Sequence, residues 1–85
     1  MWTEVGYVLA SKYREIIIKK LSKKNYLPSM LAKETNFQLA HISRALRELK
    51  DKNLVKCLNE NSKKGKIYAL TEYGKEVAKL IKANL

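Results

Sequence analysis

Apolar residues recur at spacings of three and four along most of this chain, and the pattern breaks into short strand-like runs only between residues 55 and 70. Tyr13, Ile16, Ile17 and Leu21 fall on one helical stripe, with Lys12, Arg14, Lys19, Lys20 and Lys23 elsewhere. Ser11 stands ahead of them as an N-cap, so a first helix is expected over about 11–23. Residues 1–10 are ambiguous: Trp2, Val5 and Leu9 share a helical face, but Gly6 weakens the pattern. Lys24 to Leu27 form a short connection with room for a residue or two of strand. Pro28 suits the first position of a helix, where its missing N–H costs nothing, and a two-turn helix follows over about 28–35.

Asn36 can take the left-handed conformation that stops this helix, with Phe37 as an apolar plug behind it. Leu39, Ile42, Leu46 and Leu49 define a third helix over about 39–52, and Asn53 offers a second left-handed stop before Leu54 and Val55. Val55 to Asn59 and Lys66 to Leu70 read as strands around a polar loop, giving a hairpin over about 55–70. Thr71 then caps a last helix, about 72–84, with Tyr73, Val77, Leu80 and Ile81 inward and Glu72 near its positive end. The class is mainly α with a small β-hairpin, in the order α-α-α-β-β-α, as one domain over 1–85. A short helix, a tight turn with a left-handed residue and a longer helix make a helix-turn-helix unit; a hairpin directly after it is a wing. The expected architecture is a winged helix-turn-helix.

Charge sharpens this picture. Lys and Arg total 18 against 8 acidic residues, a net charge of +10. So small and basic a domain gains by releasing counterions from a polyanion, although a lysine-rich solvated surface would give the same number. Cys57 is the only cysteine and His41 the only histidine, so one protomer forms no disulfide and no Cys/His metal cluster. No metal or cofactor is expected. No apolar run is long enough to span a membrane, and no basic-then-apolar leader opens the chain, which points to the cytoplasm. A Gly-rich phosphate loop and a nucleophile–base motif are both missing, so no enzyme is expected.

The candidate chemistry lies on the third helix. With Ile42, Leu46 and Leu49 inward, its outward set is Ala40, His41, Ser43, Arg44 and Arg47, with Gln38 at its start. Two of the three arginines of a lysine-rich chain stand here. Arginine presents a planar fork that grips both acceptors of guanine in the major groove, whereas lysine is a point charge suited to phosphate. The bland alternative is a solvated face with an internal Arg44–Glu48 pair. Ser62, Lys63, Lys64 and Lys66 give the wing a tip suited to phosphates or the minor groove, and Ser29 is a backbone contact candidate on the second helix. Tyr13, Tyr68 and Tyr73 fall on core stripes and read as packing, as does Cys57, whose alternative is a redox switch through a dimer pair. Ile18 lies off the first helix's stripe, and Trp2 and Leu85 lie near the ends. These are the candidate dimer surface.

Leu27 to Thr35, with the run Pro28-Ser29-Met30-Leu31-Ala32-Lys33-Glu34-Thr35, resembles the second helix of many archaeal winged-helix regulators. The stretch His41-Ile42-Ser43-Arg44-Ala45-Leu46-Arg47-Glu48-Leu49 resembles their recognition helix. Leu54-Val55 with Lys64 to Gly74 resembles their wing and the entry to their last helix, and Trp2, Val8 and Tyr13-Arg14 an N-terminal signature of the group. The likeness covers nearly the whole chain and relates it broadly to the ArsR and MarR regulators. It implies a sequence-specific, homodimeric transcriptional regulator of double-stranded DNA, with His41, Ser43, Arg44 and Arg47 on bases or phosphates and Lys63, Lys64 and Lys66 as wing contacts. Asn53 departs from the usual glycine but is compatible with the same cap. The Cys/His set of metal-sensing relatives is missing, so that role does not carry over. A nonspecific architectural DNA-binding protein and a winged-helix protein-interaction module are the alternatives.

Overall fold

Local chemistry decides where each helix begins and ends. The Ser11 hydroxyl accepts from the Arg14 amide at 3.3 Å, and a helix runs from there to Leu21. Pro28 opens the next helix, and Asn36 at φ 61° closes it. Asn53 at φ 60° turns the chain after the longest helix, where the Leu54 amide donates to the Leu49 carbonyl at 2.9 Å. The computed structural model describes residues 1–83. Its elements are α1 (Trp2–Leu9), α2 (Lys12–Leu21), α3 (Pro28–Thr35), α4 (Leu39–Asp51), β1 (Val55–Cys57), β2 (Tyr68–Leu70) and α5 (Glu72–Ala83).

The ambiguous N-terminal segment is thus a helix of its own. Gly6 costs it about 1 kcal/mol of intrinsic propensity, but Val5 and Val8 are buried where α1 packs on α2 and α5. Tertiary burial wins over propensity there. The strands are shorter than the five-residue runs expected. β1 and β2 pair antiparallel with Val55 opposite Leu70 and Cys57 opposite Tyr68. Beyond Cys57 one more backbone bond forms, from the Leu58 amide to the Ile67 carbonyl at 2.8 Å, and the Asn59 side chain then accepts from the Ile67 amide. On the other edge, Tyr26 and Tyr68 exchange both backbone hydrogen bonds, at 3.1 and 2.9 Å, the residue of strand foreseen in the α2–α3 connection.

The Thr71 hydroxyl accepts from the Gly74 amide at 2.9 Å and donates to the Asn53 carbonyl at 2.7 Å. One side chain caps α5 and ties it to the turn that ends α4. Gly74 is required by this contact: a Cβ there would collide with the Leu54 carbonyl oxygen.

The core lies around α2, which touches α1, α3, α4, α5 and β2. Ile17, Leu31, Ile42, Leu46, Leu49, Leu54 and Val77 are all sealed within it. Two expectations need correction. Ile18 is not surface: it is 1% exposed. A helix packed on several sides buries a wider arc than one stripe, and Ile18 occupies the side towards α5 and β2. Leu39 is 51% exposed. At about 100° per residue it stands at the edge of the arc made by Ile42, Ala45, Leu46 and Leu49, and Ala45 takes the inward place. Leu85 lies outside the described residues. No described helix is long and apolar enough to cross a membrane.

Candidate nucleic-acid interface

With that arc pointing inward, the opposite side of α4 presents Ala40, Arg44 and Arg47, all exposed, and Ser43 half-buried beside them. Gln38 is exposed at the N-cap. Glu48 does not pair with Arg44. It turns to Arg14 on α2, at 3.1 Å, while the Arg14 guanidinium also donates to the Tyr7 carbonyl at 2.8 Å and stacks 3.9 Å from the Tyr7 ring centre. This clamp joins α1, α2 and α4 and draws Glu48 away from Arg44. Among the described residues, neither Arg44 nor Arg47 ion-pairs with a carboxylate.

His41 is half-buried, not a free surface histidine. Its ring stacks on Tyr13 with centres 4.8 Å apart and planes at 15°, and Tyr13 meets Phe37 edge-on at 4.8 Å. The Arg44 guanidinium lies 3.2 Å from His41 Nδ1. Arginine has no acceptor, so His41 accepts and carries its ring proton on Nε2. The aromatic stack fixes His41, and His41 steadies Arg44. Lys12 adds a cation at the same corner, 5.3 Å from the Tyr13 ring centre.

The wing is held by Asn59. Its side-chain amide donates to the Gly65 carbonyl at 2.9 Å, and its carbonyl accepts from the Ile67 amide at 2.7 Å. Ser62 is half-buried because its hydroxyl bonds Lys64 twice, donating to the carbonyl at 2.7 Å and accepting from the amide at 3.3 Å. Gly65, at φ 65°, comes so close to Leu27 that a Cβ would sit 3.1 Å from its methyl. The tip therefore leans on the start of α3, where Ser29 is exposed. Lys63, Lys64 and Lys66 all project into solvent. Glu60, the one acid of the loop, bonds Lys50 of α4. That hydrogen bond holds the Glu60 carboxyl below its ordinary value and the Lys50 ammonium above its own. It also ties wing to helix, and among the described residues Lys63, Lys64 and Lys66 form no ion pair.

The structure thus gathers Gln38, Ala40, Ser43, Arg44 and Arg47 on α4 with a basic wing beside it. Trp2 is exposed on α1. Asn59, Lys50, Lys12 and Arg14 escape a reading of the sequence. An asparagine at the start of a loop that ends in glycine is the available signal for Asn59, whereas the Arg14–Glu48 contact spans 34 positions and leaves no local trace. Leu58 and Ile67, half-exposed across the wing stem, carry no such signal either. Cys57 is half-buried, its thiol 3.4 Å from Asn59 Oδ1. Among the described residues, no three of His, Cys, Asp and Glu gather as a metal site would need.

No protein-family model and no curated protein matches this chain. Solved structures do. The homodimeric winged helix-turn-helix DNA-binding domain of a possible ArsR-family transcriptional regulator from Mycobacterium bovis superposes with a TM-score of 0.80 at 23% identity, over 96% of this chain and 75% of that one. ZitR from Lactococcus lactis gives 0.78 at 23%, over 86% and 51%, and its complex with DNA gives 0.71 at 24%, over 81% and 48%. A transcriptional regulator homologue from Pyrococcus horikoshii gives 0.77 at 20%, over 96% and 86%. This chain spans about half the length of ZitR. The likeness is to an architecture that these proteins share. The chain folds as a winged helix-turn-helix.

Proposed function

We propose that this protein binds double-stranded DNA as a sequence-specific, dimeric transcriptional regulator, acting in the cytoplasm by binding and not by catalysis. α4 enters the major groove and the wing lies along the flanking backbone. One observation carries the reading: Arg44 and Arg47, exposed and without a carboxylate, stand with small Ala40 and Ser43 on the face of α4 opposite the core. Such a face can approach base edges and grip guanine. ZitR, with the same fold, has been solved with DNA, and the Mycobacterium bovis domain is a DNA-binding homodimer. In the dimer, Trp2 with Met1 and Leu9 on α1 supplies apolar surface.

The test is selection of bound duplexes from a random pool, with Arg44→Ala and Arg47→Ala beside the parent. The expected result is an enriched motif, and a loss of about 1–3 kcal/mol at individual base pairs in each variant. Salt-sensitive binding with no enriched motif would instead mark an architectural protein that reads only phosphates.

A further inference from the structure

Leu39 is the one large apolar side chain of α4 that the core does not take: it is 51% exposed, whereas Ile42, Leu46 and Leu49 are sealed. Helical spacing of four sets it on one ridge with Ser43 and Arg47, where the inward arc meets the outward face. It stands on the first turn, the part that reaches base edges when such a helix enters the major groove. That turn forgoes two features that would stabilise it. It carries no acid, and the side chain of the N-cap residue Gln38 makes no capping hydrogen bond. Both suit a turn that approaches phosphates, which would repel an acid. We infer that Leu39 determines specificity by packing on the 5-methyl group of a thymine.

The inference rests on α4 being the reading helix, and it adds a chemistry that Arg44 and Arg47 lack. Their guanidinium groups donate to the acceptors of guanine and have no preference for an apolar group. Base edges in the major groove otherwise present donors and acceptors, and the thymine methyl is their apolar feature. A leucine half open to water gains by covering that methyl. Against a base carbonyl or amine it would strip water from a polar group and offer no hydrogen bond in return. Ala40, the other exposed apolar side chain of this turn, shares its ridge with Arg44 and reaches out by a single carbon. About 12 Å of helix separates Leu39 from Arg47, against roughly 3.4 Å between base pairs, so the two address different positions.

The experiment takes the duplex selected by the parent protein and replaces its thymines by deoxyuridine one at a time. Each replacement removes the methyl and keeps every hydrogen-bonding group. Parent and Leu39→Ala are titrated with each duplex; alanine is a good helix former at an exposed position, and circular dichroism checks the fold. The expected result is one thymine position where deoxyuridine weakens the parent about fourfold, the amount for one buried methyl group. Leu39→Ala should bind the thymine duplex as weakly as the parent binds the deoxyuridine one, and should not distinguish the two. At that position 5-bromodeoxyuridine, whose bromine is about the size of a methyl, should restore the affinity of the parent. Three results would overturn the assignment: a parent indifferent to every deoxyuridine, a thymine preference that survives unchanged in Leu39→Ala, or sedimentation in which Leu39→Ala turns a free dimer into a monomer, which would give this side chain to a second copy. A parent that enriches no motif ends the sequence-specific reading and this inference together. An enriched motif with any of the three results ends this inference alone.

Discussion

Gly74 shows how a single side-chain atom can govern the relation between two helices. Its missing Cβ lets the first turn of α5 rest on the Leu54 carbonyl, beside the Thr71 cap. Gly74→Ala must push α5 off that turn, and overpacking of this kind costs about 1–3 kcal/mol. Urea denaturation should show the midpoint falling; an unchanged midpoint would mean that α5 shifts freely. This need cannot be seen in the sequence, where Gly74 reads only as a breaker near a helix start. Ser11, Asn36, Asn53 and Thr71 are legible because caps and left-handed stops act through the backbone within a few positions. Ile18 and the partner of Glu48 are not, because both depend on which elements come to surround α2.

Among the elements, the α2–α3 corner carries a pH signature. The buried Tyr26 hydroxyl donates to Glu34 Oε1 at 2.8 Å, and Lys20 reaches the same oxygen at 3.0 Å. The tyrosine hydrogen bond foremost, then Lys20, holds the Glu34 carboxyl below its ordinary value of 4.5, and the same bond raises the Tyr26 phenol. A lowered carboxyl stabilises the fold above its ordinary value, and that contribution disappears as pH falls through the lowered one. Tyr26→Phe should move the Glu34 titration upward by NMR and make the acid limb of stability shallower. Identical titrations in parent and variant would show that the hydroxyl does not set it. Helices with long apolar periods are readable from the chain. α1 and the true length of β1 and β2 are not, because packing makes the first and the Asn59 side chain curtails the others.

For the whole molecule the question is how charge is divided. Six of the eight acids are paired with a cation, while Arg44 and Arg47 on α4 and Lys63, Lys64 and Lys66 on the wing have no ion-pair partner among the described residues. Replacing Lys63, Lys64 and Lys66 by Ala should weaken specific and scrambled duplexes by similar factors. It should also flatten log affinity against log salt by roughly 0.9 for each phosphate that the variant no longer neutralises. An unchanged slope would mean the wing does not touch DNA, and a loss confined to the specific duplex would mean it reads sequence. A dimer should bind an inverted repeat with half-sites about one helical turn apart, and Trp2→Glu should dissociate it. Sedimentation checks this: a parent that stays monomeric both free and on DNA would refute the dimer.

The latch at Asn59 bears on the thermodynamics of association. A hairpin tip ordered before the encounter has already lost the conformational freedom that a slack loop would surrender on docking, so binding carries a smaller entropic penalty. Asn59→Ala frees the Ile67 amide and the Gly65 carbonyl while leaving every lysine in place. Hydrogen exchange at Ile67 should then quicken, and calorimetry on one duplex should show a more unfavourable binding entropy with the salt dependence unchanged. If both quantities stay at the parent values, the tip is ordered by Ser62 and Leu27 without Asn59.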